Sequence, residues 1–548
     1  MALSATTIFE VETGGSDTLN GGAFDPGQTA GMLTDGAATS ATGTAPVFTS
    51  ASYNFVAGDV GAWIYIASGT NWIPGWYKIS SVGSNAATLN ATIGQAVLKA
   101  LTPSTVAGCA TTASPTAATW TIDYSQQSSA ALSYTDLASA GTGLTVSSAT
   151  KPFGKQQVGN ALVITGGTNF NTGRYVIASI GALNVATVVG PTNVTTGAGA
   201  TGTGGLGGAL ASLGIVSSII QNSNAVFIKS GAYTVTSATT SIAAGCFSSA
   251  GTNLLIMGYG SVRGDFGTPP VLTAGSISTF SLIAFSGNGS TVQNITGDCA
   301  SKTSSRAFNS TGGLQLIYRC LGKNATNSAF GAIVNSTVVL LCQATGCSTT
   351  IGAINCPVCI ACESYSNTVT GFTGATFGFF EFCLSYNNSG ASSDGFADAG
   401  AAQYLNCTSY GNGRDGFRAA STIGEYYINC IAEGNSGFGF NGNSQPTRLV
   451  NCGAYNNTSG QTNQTTTYVD QNINFINNVT GSFFVNAAGG NFALNQLANQ
   501  GVLARAAGIP GAFPAGTTTG FLDVGGAQHQ DSPDVIASVI SMYETRYQ

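Results

Sequence analysis

Eight cysteines fall at nearly constant spacing through the middle of the chain: Cys299, Cys320, Cys342, Cys362, Cys383, Cys407, Cys430 and Cys452. The steps between them are 21, 22, 20, 21, 24, 23 and 22 residues. Five carry an asparagine five places on, at Asn367, Asn388, Asn412, Asn435 and Asn457. Neither a helical bundle nor a sandwich requires such a register. A solenoid with one coil per ~20–25 residues does, because each coil buries its face on the next. The spacing therefore predicts an all-β chain built around stacked parallel strands.

A repeating coil can be read directly. An apolar strand ends in cysteine, as in Tyr404-Leu-Asn-Cys407, and a short strand such as Thr408-Ser-Tyr follows. Then come Gly-Asn at a bend, Asp415-Gly-Phe417, a variable loop and the next strand, Tyr426-Tyr-Ile-Asn-Cys430. Strands stacked at about 4.8 Å place like residues above like. Cysteine suits a narrow apolar interior. An asparagine amide can donate and accept along a column, so Asn367 through Asn457 are expected to be structural. The 13 cysteines also admit disulfides, or zinc at Cys356-Pro-Val-Cys359-Ile-Ala-Cys362. A second, separate CxxC is missing and the single histidine is His529, which makes a closed four-ligand site hard to build. Buried reduced thiols are the expectation, with no metal and no cofactor.

At 548 residues the chain has room for two or three domains. Charged residues make up only 7% and the net charge is −6, which argues against nucleic acid as a partner. No run of about 18 apolar residues suggests a membrane span, and the start lacks a basic segment followed by an apolar one, so no secretory signal is expected. Low charge and 75 glycines could mean disorder, but 28 Phe and 19 Tyr supply a core. Strings such as Asn294-Ile-Thr read as turn chemistry rather than glycosylation sites.

Residues 55–90 and 153–188 repeat each other at an offset of 98: Val60-Gly61 matches Val158-Gly159, Gly69-Thr-Asn-Trp72 matches Gly167-Thr-Asn-Phe170, and Tyr77 matches Tyr175. Each copy reads as alternating strands around a turn. The expected domains are a first β module over 1–115, a second with a linker over 116–212, the β-helix over 213–489, and a cap over 490–548 with a short C-terminal helix at 532–547. Ala/Thr/Gly/Ser-rich stretches at 36–45, 102–118 and 190–209 read as linkers or loops. The cap is expected to cover the open end of the last coil.

The coil pattern resembles right-handed, single-stranded parallel β-helix proteins of the pectate-lyase-like group. Phe9-Glu-Val-Glu-Thr-Gly-Gly-Ser-Asp17, Gly21-Gly-Ala-Phe-Asp-Pro-Gly27 and Ile122-Asp-Tyr-Ser-Gln-Gln127 look like β-helix proteins of tailed phages. Asn491-Phe-Ala-Leu and Gly520-Phe-Leu-Asp-Val-Gly-Gly526 are similar to the ends of many of them. The resemblance implies a homotrimeric virion protein, a tailspike or tail fibre that binds a host cell-surface polysaccharide and in some cases cleaves it. Other tail or capsid proteins would be its partners. Exposed loops at 441–448 and 457–468 are candidates for specificity. Two other readings stay open: a structural capsid-surface protein without enzymatic activity, and a secreted polysaccharide lyase or hydrolase.

Cleaving a polysaccharide needs paired carboxylates, or a base with cationic groups. Asp394 and Asp415 both stand in Asp-Gly-Phe, 21 residues apart, and Arg414 and Arg418 flank the second. These four are the candidate catalytic residues, although Asp-Gly is also ordinary turn chemistry. Trp72, Trp76 and Tyr77 are candidates for stacking on sugar, although alternation along a strand sends half of such residues inward.

Overall fold

The computed structural model describes residues 4–38, 46–94, 114–190, 192–235, 247–249, 251–276, 281–332, 337–348, 352–374, 377–398, 400–419, 425–442, 447–463, 474–505, 507–508 and 523–527. His529, the expected helix at 532–547, the stretches 39–45 and 102–113, and parts of both candidate specificity loops lie outside these residues. The structure is an all-β chain dominated by a parallel β-solenoid; the α-helix among the described residues is Leu213–Ile219. It forms two compact units, one of residues 1–233, 239–245 and 251–271, the other of 234–238, 246–250 and 272–548.

In the first unit, Ile8–Val11 pairs in parallel with Ala225–Lys229, which pairs in parallel with Leu255–Tyr259. The chain thus opens inside a parallel stack. Two antiparallel modules are inserted between these strands. The first is a closed barrel in the order Leu33–Ala38, Val47–Thr49, Ala86–Gly94, Gly75–Gly83, Trp63–Thr70, Thr116–Asp123. The second runs Thr145–Val146, Ala186–Val189, Gly173–Ile180, Ala161–Phe170, Thr195–Leu206, Leu132–Ser139. Read as circles, the two orders coincide, and a bridge between Ala138 and Ser147 brings the ends of the second together. Asn71 and Asn169 take the same left-handed turn conformation, φ 65° and 64°. The hydroxyls of Tyr77 and Tyr175 each donate to the carbonyl four residues earlier.

The stretch 190–209, read as a linker, is mainly the 12-residue strand Thr195–Leu206. Its small residues are there for close approach. A Cβ at Gly202 would stand 2.7 Å from the Phe170 ring, and one at Gly204 would stand 2.2 Å from the Val163 carbonyl oxygen. Likewise Thr116–Asp123 is a barrel strand rather than the end of a loop.

The second unit is the solenoid. Its first sheet stacks eight strands from Thr291–Gln293 to Arg448–Val450, its second eight from Thr296–Asp298 to Gly453–Tyr455, and its third ten from Phe247–Ser249 to Gly460–Asn463. Single left-handed residues make the bends. One precedes the cysteine (Asn406, Asn429 and Asn451, φ 50–54°) and one precedes the ladder asparagine (Ser366, Asn387 and Gly411, φ 53–60°). Asparagine and glycine tolerate that conformation best. Core rings stack coil on coil: Phe372, Phe396, Phe417 and Phe440 at 4.8–5.0 Å, and Phe380, Tyr404 and Tyr427 at 5.0 Å.

The cysteine register holds from Cys320 onward but not at its start. Thr296 pairs with Leu321, so Ile295 stands beneath Cys320, and Cys299 falls at the following bend. Ile295 fills the apolar column in place of a thiol, and that coil is 25 residues long (295 to 320). After Ile476, which bridges Gly453, the chain turns back. Val479, Phe483, Phe484, Phe492 and Leu494 pack with Leu384, Tyr386, Tyr410, Ile431 and Tyr455. The segment expected to cap the open end therefore lies along the side of four successive coils, whose outward aromatic and aliphatic side chains need cover. Asp523-Val-Gly-Gly526 joins it: Gly525 N donates to Asn429 O at 2.7 Å, and Gly526 N to Thr408 Oγ1 at 2.8 Å.

Candidate functional site

The Asp-Gly-Phe repeat is explained position by position. Phe396 and Phe417 are members of the stacked core column. Gly395 and Gly416 pass so close to the asparagine column that a Cβ would stand 2.9 Å from Asn412 Nδ2 and 2.8 Å from Asn435 Nδ2 respectively. Only glycine leaves room there. The aspartates then sit at the bend into the third sheet.

The structure brings the four candidate catalytic residues together. Asp394 is fully buried, while Arg414 and Arg418 keep 32% and 33% of their side chains exposed. Arg414 grips Asp394 in a fork, Nε to Oδ1 at 2.7 Å and Nη2 to Oδ2 at 2.5 Å. The Asp415 backbone N–H donates to Oδ1 at 3.2 Å, and Arg418 Nη1 stands 3.8 Å from Oδ2. Asp415 turns inward as well: Oδ1 accepts from Phe438 N at 2.8 Å and Oδ2 from Asn441 Nδ2 at 2.7 Å. Each aspartate thus ties its own coil to the next. Burial raises the Asp394 pKa, with Arg414 opposing, and the bond to Asp394 raises that of Arg414. Chemically, the site presents guanidinium edges to solvent and keeps its carboxylates behind them.

Trp72, Trp76 and Tyr77 do not join this site and present no ring face. They are 5%, 3% and 0% exposed. Trp72 packs 5.5 Å from Phe48 in the barrel core, and Trp76 Nε1 donates to Asp123 Oδ2 at 3.0 Å. A barrel buries the inward half of every strand, and Trp76 is covered on the other face by Phe24 and Tyr65.

Two features escaped the sequence reading. Asn441 completes the cluster through Asp415 and carries no motif. Arg263 is fully buried with Glu10 and Asp123, in residues that no spacing links. Among the described residues, no three His, Cys, Asp or Glu side chains are grouped as metal ligands. The 11 described cysteines are buried and unbridged.

No protein-family model matches the chain, and no curated protein matches it. Among solved structures, similarity is found to a rhamnogalacturonan lyase (11% identity, 57% of this chain and 92% of that one, TM-score 0.40). The pectate lyase Pel9A matches at 12% identity over 59% of this chain and 92% of its own, with TM-score 0.39. ORF18 of Geobacillus virus E2 matches at 11% identity over 50% of this chain and 58% of its own, with TM-score 0.34.

Proposed function

We propose that the protein is a glycan-binding component of a phage particle, of the tailspike or tail-fibre type, acting as a homotrimer on a host surface polysaccharide. The observation that carries the binding half of this reading is the Arg414–Arg418 pair. Two guanidinium groups stand a third exposed on a rigid face, fixed from behind by a buried carboxylate. Guanidinium forks suit sugar carboxylates and hydroxyls, and a scaffold that does not move on binding limits the entropy lost. Beside them, Asn463 Nδ2 donates to Asn441 Oδ1 at 3.0 Å, extending the polar strip by a coil. The virion placement rests on the resemblance of the opening and closing segments to phage β-helix proteins.

Binding is favoured over cleavage because both aspartates spend their oxygens on neighbouring coils. A general acid needs a proton within reach of the glycosidic oxygen. The test is a binding titration of the purified protein against a panel of host surface polysaccharides, with release of reducing ends measured in parallel. Wild type is expected to bind one of them, and Arg418→Ala to bind about tenfold more weakly with an unchanged melting temperature. Binding that ignores Arg418→Ala would move the site elsewhere, and no binding to any polysaccharide would leave the structural capsid reading. Cleavage that Asp394→Asn abolishes without loss of fold would make the protein a depolymerase.

A further inference from the structure

On the first sheet of the solenoid one outward column alternates ring and polar group. Phe379 pairs with Gln403, Gln403 with Tyr426, and Tyr426 with Arg448, one coil at a time. Alternation along each strand sends Phe380, Tyr404, Tyr427 and Leu449 into the core and these four outward. Gln403, Tyr426 and Arg448 are exposed, Tyr426 to 43%. The Arg448 guanidinium lies over one face of the Tyr426 ring, 5.7 Å from its centre.

Phe377 adds a ring at the bend that leads into this sheet. It is 70% exposed and holds φ 67°, a left-handed conformation that a bulky side chain rarely adopts. Its backbone N–H donates to the Gly400 carbonyl at 2.8 Å, which fixes the turn. Ala401 makes the same bend one coil on, at φ 53°, with a methyl group in place of the ring. Phe377 thus forgoes both an easy backbone and the burial of its side chain, at a position where the next coil does without a ring. Phe377 and Tyr426 stand two coils apart, about 10 Å along the axis. Ala401 and the exposed Gln403 lie in the coil between them, so each ring keeps room beside it.

We infer that this face of the first sheet is a second sugar-binding surface. Phe377 and Tyr426 stack on the C–H faces of pyranose residues, while Gln403 and Arg448 hydrogen-bond their hydroxyl rims. A pyranose carries an apolar face and a polar edge, and the column offers both in alternation. A protein interface would centre on a continuous apolar patch, whereas here each ring of the column is followed one coil on by a polar side chain. A free anion would engage Arg448 and give the rings no role. The inference rests on the glycan-binding reading for its ligand and adds a contact surface on a different sheet from that of Arg418.

The test uses the full chain with the methyl glycosides of galactose, glucose and rhamnose as probes, followed by saturation-transfer NMR. Saturation is expected to reach the ring C–H protons of at least one glycoside. It should be lost when Phe377→Ser and Tyr426→Ala are combined, and kept in Arg418→Ala. Against a polysaccharide that wild type binds, Phe377→Ser and Tyr426→Ala should each weaken binding about tenfold, and Phe377→Trp should preserve it. Phe377→Gly suits the left-handed turn, so it should weaken binding without lowering the melting temperature, whereas a ring kept only for packing would lower it. No transfer from wild type, or transfer that survives the double substitution, would overturn the inference and leave the Arg414–Arg418 strip to its own titration. Transfer to the glycosides with no polysaccharide bound would support the surface and count against the polymer reading alone. A double variant that sediments as a smaller species would make this face a contact between copies of the chain, which overturns the inference.

Discussion

Glu10 is the residue whose ionisation the fold controls most directly. Its Oε2 accepts from Arg263 Nε at 2.9 Å and Nη2 at 2.8 Å, and its Oε1 accepts from the Tyr259 hydroxyl. Arg263 Nη1 donates to Asp123 Oδ2 at 2.8 Å, so two buried acids share one buried cation. Burial pushes Glu10 up from 4.5 to about 7, with Arg263 and Tyr259 pulling the other way. For Arg263 burial works downward, and Asp123 and Glu10 outweigh it and hold it charged. A carboxyl whose folded pKa exceeds its unfolded value contributes its full stability below the unfolded value, here 4.5, and loses it as pH rises through about 7. The first unit should therefore melt lower at pH 8 than at pH 5, by up to about 3 kcal/mol. Asp35 and Asp265, held below their usual values, are already ionised across that window. Glu10→Gln, which keeps the shape without the titration, should flatten the dependence. A melting profile in which the variant retains the wild-type slope between pH 5 and 8 would refute this account.

At the scale of the coil, the asparagine column sets the bend. Asn412 Nδ2 donates to Asn435 Oδ1 and Ser409 Oγ, both at 2.9 Å, and its Oδ1 accepts from Asn388 Nδ2 at 2.8 Å and Asn388 N at 3.2 Å. The same links run from Asn367 to Asn388 and from Asn435 to Asn457 at 2.8 Å. Asn412→Ala orphans buried groups on both neighbouring coils, and the expected loss is about 3 kcal/mol. Asn412→Asp should lose at least as much, because a second oxygen would face the acceptor Asn435 Oδ1. Denaturant midpoints check both, and a loss under about 0.5 kcal/mol for Asn412→Ala would show the column to be ornamental. This column was legible in the sequence because periodicity reports which residues stack. For the same reason the Asp394–Arg414–Asp415–Arg418 cluster could be located before its geometry was known. Periodicity does not report where oxygens point, so turn and acid could not be told apart at Asp394. It also failed where chemistry substitutes for identity: Ile295 stands in the cysteine column, and the glycine-rich Thr195–Leu206 is a strand because its neighbours crowd it. The Asn-Cys pair at 406–407, 429–430 and 451–452 was a missed signal for the left-handed bend.

The whole molecule offers an internal division of labour between its probes. Its four tryptophans lie in the first unit, whereas the 11 described cysteines, all buried, lie in the second. Burial and neighbouring thiols raise Cys342, Cys362, Cys407 and Cys452 well above the usual thiol value, whereas at Cys383 and Cys430 burial is outweighed by hydrogen bonds from neighbouring thiols and backbone, which lower them; what all 11 share is burial out of a reagent's reach. Native protein should thus leave these 11 thiols unlabelled by a maleimide pulse, and labelling should begin only as the coils open. Adjacent coils share each ladder and each stacked ring, so opening one coil costs the interface on both sides and the thiols should appear together. Glu10→Gln then separates the two units. Acting through Arg263, it should shift the pH response of the tryptophan midpoint and leave the thiol-labelling midpoint where wild type has it. Because Asp394, Glu363 and Glu433 in the solenoid also have raised pKa values, pH alone moves both midpoints in the same direction, and only the substitution discriminates. A variant that moves both by the same amount would mean that the two units unfold as one cooperative body. A thiol signal that rises in several steps within wild type would mean that the solenoid opens coil by coil.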